Sequence, residues 1–222
     1  MRKLFWVVVV LAVLAVGVDR LADRVAEGIV ARGVQDSQGL TASPDVDITG
    51  FPFLTQFARR HYDRVTLSAA SATAGPSSDR VRLRDVAITF RDVRTSQDLG
   101  RFTATRGRAT ATLPYAELGR LVDLELSYAG NGRVRAGKEL EVAGQRVTPS
   151  VTISPRLLDG ALSLTNSALG DQLPAPVAQA LQSALGTQVR LTDLPFDVRV
   201  TSLAARPGGI RLQLAGRDLT YP

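Results

Sequence analysis

Beyond residue 60, most of the chain alternates between apolar and polar residues with a period of two. Successive side chains of a β-strand point to opposite faces of the sheet, so this period predicts strands with one buried face. Val65 and Leu67 share one side of the first such run, and Val86 and Ile88 share one side of the next. The runs with this pattern cover residues 62–72, 80–90, 102–113, 124–128, 133–142, 146–153, 158–164, 188–191, 197–203 and 210–214. We therefore expect a domain built from about ten strands.

Turn-forming residues separate several of these runs. Gly130-Asn131-Gly132 and Pro207-Gly208-Gly209 supply the positive-φ residues that tight hairpins require, so antiparallel pairing is the simplest connectivity. The parity of the apolar positions changes between Leu83 and Val86, which predicts a β-bulge near Arg84-Asp85. Bulges bend strands, so we expect the sheet to be curved.

Two short helices interrupt the predicted strands, at about residues 114–122 and 174–185. The second helix places Val177, Leu181 and Leu185 on one face, because they are four residues apart. We predict an α+β fold, in which a long curved antiparallel sheet packs with two or three helices and an N-terminal apolar helix precedes them.

The N-terminus has the layout of a secretory leader. Arg2 and Lys3 precede an uncharged apolar segment, residues 4–18, and Asp19-Arg20 follows it. As a helix this segment would measure about 22 Å, which is shorter than the ~30 Å hydrocarbon core of a bilayer. Residues 1–18 are thus a signal peptide or a membrane anchor, and residues 19–222 form one domain. Because Arg2 and Lys3 stay in the cytoplasm, both alternatives place that domain outside it.

Residues 19–34 predict an amphipathic helix with Leu21, Val25 and Ile29 on one side. This helix could pack on the domain or lie on the membrane surface. Charges of both signs on its remaining positions favour packing.

The residue inventory removes most enzyme classes. The chain has no cysteine, so disulfides, thiolate metal sites and cysteine nucleophiles are excluded. His61 is its single histidine, and no G-x-S-x-G motif is present. Residues 132–138 match part of a phosphate-binding loop, but Glu139 follows and the next residues alternate as a strand. We therefore predict no catalytic residues, no metal site and no cofactor.

The charge balance argues against nucleic acid as a partner. The formal net charge is +6, and 25 of the 27 basic residues are arginine because only Lys3 and Lys138 are lysine. This excess is small, and the basic residues are not interleaved with stacking aromatic residues.

One segment combines apolar and cationic residues. Phe51, Phe53 and Leu54, with Phe57 nearby, are followed by Arg59, Arg60 and Arg64. Rings can enter a membrane interface while arginines meet phosphate, so this segment predicts docking on anionic phospholipid. The alternative is an ordinary corner between a loop and a strand.

Three parts of the chain together resemble the LmeA-like phospholipid-binding proteins of actinobacteria, a family first catalogued as a domain of unknown function. These parts are the leader with its amphipathic helix, the run G-F-P-F-L-T-Q at residues 50–56, and the closing residues 194–203 with Gly209-Ile210. The resemblance implies an extracytoplasmic protein that binds phospholipids, including inositol phospholipids, and supports maturation of mannosylated glycolipids in mycobacteria. It implies no catalytic residues, and a fold similar to the tubular lipid-binding proteins.

In such a fold a long curved sheet wraps a helix and leaves an apolar groove for acyl chains. Here the groove would be lined by the apolar strand residues and by the predicted helix of residues 174–185. If these two surfaces close on each other, they form an ordinary core instead. The alternatives are then a ligand-free scaffold or protein-interaction module of the cell envelope, and a hydrolase that acts on envelope substrates. The candidate acyl-chain residues of the sheet and helix are Val65, Leu67, Val86, Ile88, Val177, Leu181 and Leu185.

Overall fold

A computed structural model describes residues 12–28, 31, 44–74, 80–96, 101–142, 145–158, 161–164, 189–190 and 198–221. The chain divides into two compact units. Unit 1 comprises Met1–Ala70, Ala87–Arg108 and Gly216–Pro222, and unit 2 comprises Ser71–Val86 and Ala109–Ala215.

Helices and antiparallel strands make up the described part of the chain, which confirms the predicted α+β class. The helices are α1, with residues 12–28 and residue 31 helical, α2 (Phe53–Arg59) and α3 (Tyr115–Val122). The strands are β1 (Asp45–Thr49), β2 (His61–Ala74), β3 (Val81–Thr95), β4 (Phe102–Leu113), β5 (Glu125–Gly130), β6 (Arg133–Gly137), β7 (Leu140–Val142), β8 (Gln145–Val147), β9 (Ser150–Ile153), β10 (Arg156–Leu158), β11 (Ala161–Ser163), β12 (Val189–Arg190), β13 (Arg199–Arg206) and β14 (Gly209–Tyr221).

The largest sheet among the described residues has six strands in the order β1-β2-β3-β4-β14-β13. Strands β2, β3, β4 and β14 each contribute residues to both units. Smaller sheets have the orders β5-β6-β9, β10-β11-β12 and β7-β8. The predicted hairpin turns join β5 to β6 and β13 to β14, and both pairs are antiparallel.

The helices differ in how well the sequence predicted them. Helix α3 lies where it was predicted, and an N-terminal helix is present. Helix α1 runs through residues 17–19 without a break, so the described end of the predicted leader and the start of the predicted amphipathic helix belong to one helix. The predicted helix of residues 174–185 lies outside the described residues. In the parts of the chain that are described, no helix has both the length and the apolar character needed to cross a bilayer.

Aspartates in the left-handed conformation interrupt the long strands. Asp85 has a φ of 50° inside β3, where the sequence predicted a bulge. Asp92 in β3 and Asp218 in β14 have φ values of 52° and 50°. A left-handed residue inside a strand is characteristic of a β-bulge, and aspartate tolerates this conformation better than most residues.

Each unit has an apolar core of its own. In unit 1, Phe53, Phe90 and Leu219 are almost completely buried. In unit 2, the fully buried residues include Leu113, Leu118, Val134 and Ile210. The hydroxyl of Tyr115 donates a hydrogen bond of 2.9 Å to the carbonyl of Arg206, which fixes the start of α3 against the β13–β14 hairpin.

Candidate lipid-binding surface

A short helix in unit 1, α2, carries three exposed apolar side chains. Phe51, Leu54 and Phe57 are 59%, 42% and 50% exposed. They are three residues apart, so they lie on one side of the helix and the turn before it. We call these three residues the apolar patch. Exposed apolar residues are common singly, but three adjacent ones mark a candidate interaction site.

Phe53, unlike the other predicted apolar residues of this segment, is buried. It is 2% exposed, and its ring lies 6.1 Å from that of Phe57 and 6.3 Å from that of Tyr62. Aromatic rings at these separations pack favourably. Phe53 therefore anchors α2 to the core of unit 1, and the apolar patch presents its side chains outward.

Helix α2 lacks a cap of its own, and α1 supplies one. The residue before it, Pro52, offers no side-chain acceptor. The carboxylate of Asp19 instead accepts hydrogen bonds from the backbone N–H groups of Phe53 and Leu54, at 2.9 and 2.7 Å. Asp19 is 3% exposed. A negative charge at these free N–H groups is favourable, so α1 holds the first turn of α2 in place.

Two further acidic residues of α1 face the rest of unit 1. The Glu27 carboxylate accepts a hydrogen bond of 3.0 Å from the backbone N–H of Ile48 in β1, the edge strand of the sheet. Asp23 is buried, and its Oδ1 has no hydrogen-bond partner among the described residues. Burial raises the pKa of Asp23 above its ordinary value, and Glu27, Asp47 and Asp19 raise it further while Arg20 lowers it.

Helix α1 packs on the domain, but not by the side that its sequence suggested. Leu21 and Val25, which were predicted to form its packing face, are both 63% exposed. Ile29, the third member of that face, lies outside the described residues. The carboxylates on the opposite side make the contacts instead, because unit 1 offers them free N–H groups.

The predicted head-group arginines lie at the end of α2 and the beginning of β2. Arg59 is the last residue of α2, and Arg60 follows it with a φ of 53°. Both are exposed, whereas Arg64 is half-buried within β2 opposite Thr49. No described residue forms an ion pair with these three arginines.

Arg20 of α1 adds a cation on the other side of the apolar patch. Its guanidinium carbon lies 5.7 Å from the centre of the Phe51 ring, and its Nη1 lies 3.9 Å from Asp23 Oδ2. A guanidinium over an aromatic face is attracted by the ring's quadrupole. Sequence reasoning missed Asp19 and Arg20 as site residues, since nothing in the spacing of α1 shows that it meets α2.

The predicted acyl-chain residues of β2 belong to a partly buried aliphatic surface. Val65 pairs with Ile48 and Leu67 pairs with Val46, and directly paired residues project from the same side of a sheet. Val46 and Ile48 are buried, whereas Val65 and Leu67 are only half-buried.

A side-chain contact indicates which residues of β3 belong to the same surface. Oγ1 of Thr66 lies 3.5 Å from Oγ1 of Thr89, so these two residues share the opposite side of the sheet. Ile88, next to Thr89, therefore lies on the side of Val65 and Leu67. Ile88 is also half-buried. Val86, two residues before Ile88 in β3, is half-buried too, but it belongs to unit 2. We call Val65, Leu67 and Ile88 the aliphatic face.

A family model described as LmeA-like phospholipid-binding matches residues 17–215. The chain belongs to the LmeA-like phospholipid-binding family. This confirms the resemblance in the sequence, and membership supports a phospholipid-binding role rather than a catalytic one. No curated protein and no solved structure matches the chain.

In this member of the LmeA-like family, unit 1 contains two groups of side chains whose chemistry is compatible with a phospholipid. Half-buried aliphatic side chains are compatible with acyl chains, and arginines that no described residue pairs are compatible with a phosphate. The other predicted acyl-chain residues, Val177, Leu181 and Leu185, lie outside the described residues, so a groove between them and the sheet stays a prediction. The described residues contain no group of three or more side chains that could hold a metal ion.

An open pocket of about 460 Å³ lies at the strand ends of unit 1, and it was not predicted. The backbone N–H of Thr95, one of its lining residues, donates a hydrogen bond of 3.2 Å to the carbonyl of Arg60. The pocket therefore lies next to the predicted head-group arginines. Its lining comes from three strands, which is why no local motif could indicate it. The lining residues are Arg94, Thr95, Ser96, Arg101, Phe102, Thr103 and Thr220.

Proposed function

We propose that this protein binds phospholipid outside the cytoplasm, holding acyl chains against the aliphatic face while Arg59 and Arg60 meet the head group. The observation that carries the proposal is the placement of exposed Arg59 and Arg60, which no described residue pairs, at the start of the strand that also bears Val65 and Leu67. Membership of a phospholipid-binding family supports it. Maintenance of envelope lipids or glycolipids is the role we propose for the bound lipid.

The distances along β2 fit this arrangement. Val65 follows Arg60 by five residues, which corresponds to about 16 Å along an extended strand. Half of the ~30 Å hydrocarbon core is about 15 Å, the depth occupied by the acyl chains of one leaflet. A lipid whose phosphate meets Arg60 therefore has the ends of its acyl chains beside Val65. Each methylene removed from water contributes about 0.8 kcal/mol, so a few contacts offset much of the cost of association.

The apolar patch gives the protein a means to reach its ligand. The side chains of Phe51 and Phe57 are wholly apolar, and their exposure to water does not favour folding. At a bilayer surface they would enter the interface while Arg59 and Arg60 met anionic phosphates. Docking by the patch would bring the membrane close to the start of β2.

The acyl-chain assignment is tested by lipid extraction from the purified full chain, with identification by mass spectrometry. We expect phospholipid to co-purify, and we expect Val65→Gln to lower the lipid content several-fold. Thr66→Gln is the matched control, because Thr66 is the next residue and projects from the opposite side of β2. Lipid-free protein that takes up none from vesicles, or equal losses in both variants, would contradict the proposal and favour a ligand-free scaffold.

The head-group assignment is tested with vesicles that contain phosphatidylglycerol. The double variant Arg59→Gln with Arg60→Gln should weaken binding to these vesicles much more than binding to phosphatidylcholine vesicles. Arg133→Gln with Arg135→Gln removes the same charge from exposed positions in β6. If this control weakens binding equally, the attraction depends on net charge alone and the assignment is wrong.

A further inference from the structure

We infer that the leader is retained, that α1 lies along the bilayer surface with an apolar stripe in the lipid, and that it remains part of the folded protein there. The stripe consists of Leu14, Val18, Leu21 and Val25, and we call it the α1 stripe. The inference extends the proposed function, because it assigns a second lipid-contacting surface outside the patch and the aliphatic face.

The α1 stripe follows the helix at intervals of four, three and four residues. These intervals place its members in one row along the helix. Their exposures lie between 56% and 63%, so the whole row is open. An isolated exposed leucine requires no explanation, but a continuous exposed row on an amphipathic helix does.

The contacts of α1 explain why this row faces outward. Asp19 and Asp23 are the buried residues in the described part of the helix, and at 100° per residue they lie on the side opposite to the α1 stripe. Asp19 is fixed by two hydrogen bonds to α2, and Glu27 by one to β1. The rotation of the helix is therefore set by these polar contacts, and the stripe cannot turn inward while they persist.

Three observations identify a phospholipid bilayer as the occupant. Arg20 and Arg24 are exposed on one flank of the stripe, where they would meet anionic phosphates. Arg20 stacks on Phe51, so the flank adjoins the apolar patch. The uncharged apolar segment of residues 4–18 overlaps the first half of the stripe and continues beyond it toward the N-terminus.

A second copy of the chain is the competing occupant. Intervals of four and three residues also occur in coiled coils, with valine and leucine at alternate core positions as here. However, Ala15, Gly17 and Ala22 on the flanks are uncharged, and Arg24, the one charged flanking residue, would find no acidic flanking residue to pair with across such an interface. The stripe also spans less than two heptads, which is short for a coiled coil in water. The bilayer is therefore the better fit.

The absence of cysteine makes a site-specific test straightforward. Single cysteines in the full chain at Leu21, Val25 and Arg24 are labelled with an environment-sensitive fluorophore, and vesicles of phosphatidylcholine and phosphatidylglycerol are added. We expect a blue shift and strong quenching by brominated acyl chains for Leu21→Cys and Val25→Cys. Arg24→Cys, on the flank, should be quenched several-fold less. Equal quenching at all three positions, or none at any, would overturn the inference.

A second measurement covers the competing occupant and a folding defect. The double variant Leu21→Gln with Val25→Gln changes only exposed side chains, so it should fold normally and lose about tenfold in vesicle partitioning. A blue shift that appears without vesicles and rises with protein concentration, or a disulfide between two copies of Leu21→Cys, would assign the stripe to a dimer and overturn the inference. Lipid extraction from the same variants separates this inference from the proposed phospholipid binding. If phospholipid still co-purifies but the labels show no contact with the bilayer, the inference about α1 is wrong and the proposed function stands.

Discussion

Replacing Asp19 should release α2 from α1. The Asp19 carboxylate is the acceptor for two consecutive N–H groups in the first turn of α2, and the residue at the N-terminal cap of α2, Pro52, makes no side-chain hydrogen bond to them. Asp19→Ala removes both acceptors. Asp19→Asn keeps one carbonyl oxygen in nearly the same position, but it loses the charge and the second acceptor.

The size of the effect follows from the burial of these bonds. A hydrogen bond to a charged group contributes about 1.5–3 kcal/mol, and a buried donor without a partner costs about 1–3 kcal/mol. Water can reach the N–H of Leu54 more easily than that of Phe53, whose hydrogen bond is buried. We therefore expect Asp19→Ala to cost about 2–4 kcal/mol and Asp19→Asn about half of that. A loss of 2–4 kcal/mol corresponds to a roughly 30- to 1000-fold increase in the open population.

Amide hydrogen exchange of the full chain measures this population at the two donors directly. The Phe53 and Leu54 amides should exchange faster by about the predicted factor in Asp19→Ala and by a smaller factor in Asp19→Asn. Arg24→Ala is the control, because Arg24 is exposed on the same helix and should change stability by less than about 0.5 kcal/mol. Unchanged protection of both amides in Asp19→Ala would refute the capping role.

Three other substitutions test a close backbone contact, a single hydrogen bond and a buried carboxyl group. Gly209→Ala should destabilise the protein by about 2–4 kcal/mol in urea titrations, because Gly209 has a φ of 144° and an added Cβ would meet the Leu113 carbonyl. The neighbouring control Gly208→Ala has open space for its Cβ and should cost less than about 1 kcal/mol. Tyr115→Phe should cost about 0.5–1.5 kcal/mol in the same titrations, the contribution of one hydrogen bond. Because the pKa of Asp23 is raised in the folded protein, ionisation of this carboxyl opposes folding as the pH rises. Asp23→Asn should therefore raise the melting temperature near neutral pH. The difference in melting temperature should vanish as the pH falls below 3.8, where the carboxyl is protonated in both states.

The strands were the most predictable part of the fold, since one buried face imposes a period of two on the sequence. Strand β2 was predicted as residues 62–72 and covers His61–Ala74. Strand β3 was predicted to end at Phe90 but continues to Thr95. Phe90 and Val93 are both buried, and strict alternation cannot place residues three apart on one side of a strand. The left-handed Asp92 between them resets the phase, which hid the second half of the strand.

The candidate site was predictable where it depends on local sequence. The apolar patch and the arginines that follow it lie within ten residues of one another, so their combination was visible. The face by which α1 packs was not visible, because amphipathicity predicts burial of Leu21 and Val25. Three polar contacts to free N–H groups outweighed that tendency, and such groups are known only once the partner elements are in place.

The left-handed aspartates share a sequence feature, which accompanies the predicted bulge at Asp85 and could have indicated the continuation of β3 past Asp92 and of β14 past Asp218. Asp85, Asp92 and Asp218 each follow an arginine and precede an apolar residue, and all three are left-handed within a strand. Out-of-phase apolar residues flank each one, as Leu214 and Leu219 do around Asp218, where both are buried although they are five apart. Aspartate accepts a positive φ at low cost, and the arginine and the aspartate can both remain in water while the apolar residue returns to the core. An Arg-Asp-apolar triplet inside an alternating run of this chain is therefore better read as a bulge within one strand than as the end of that strand.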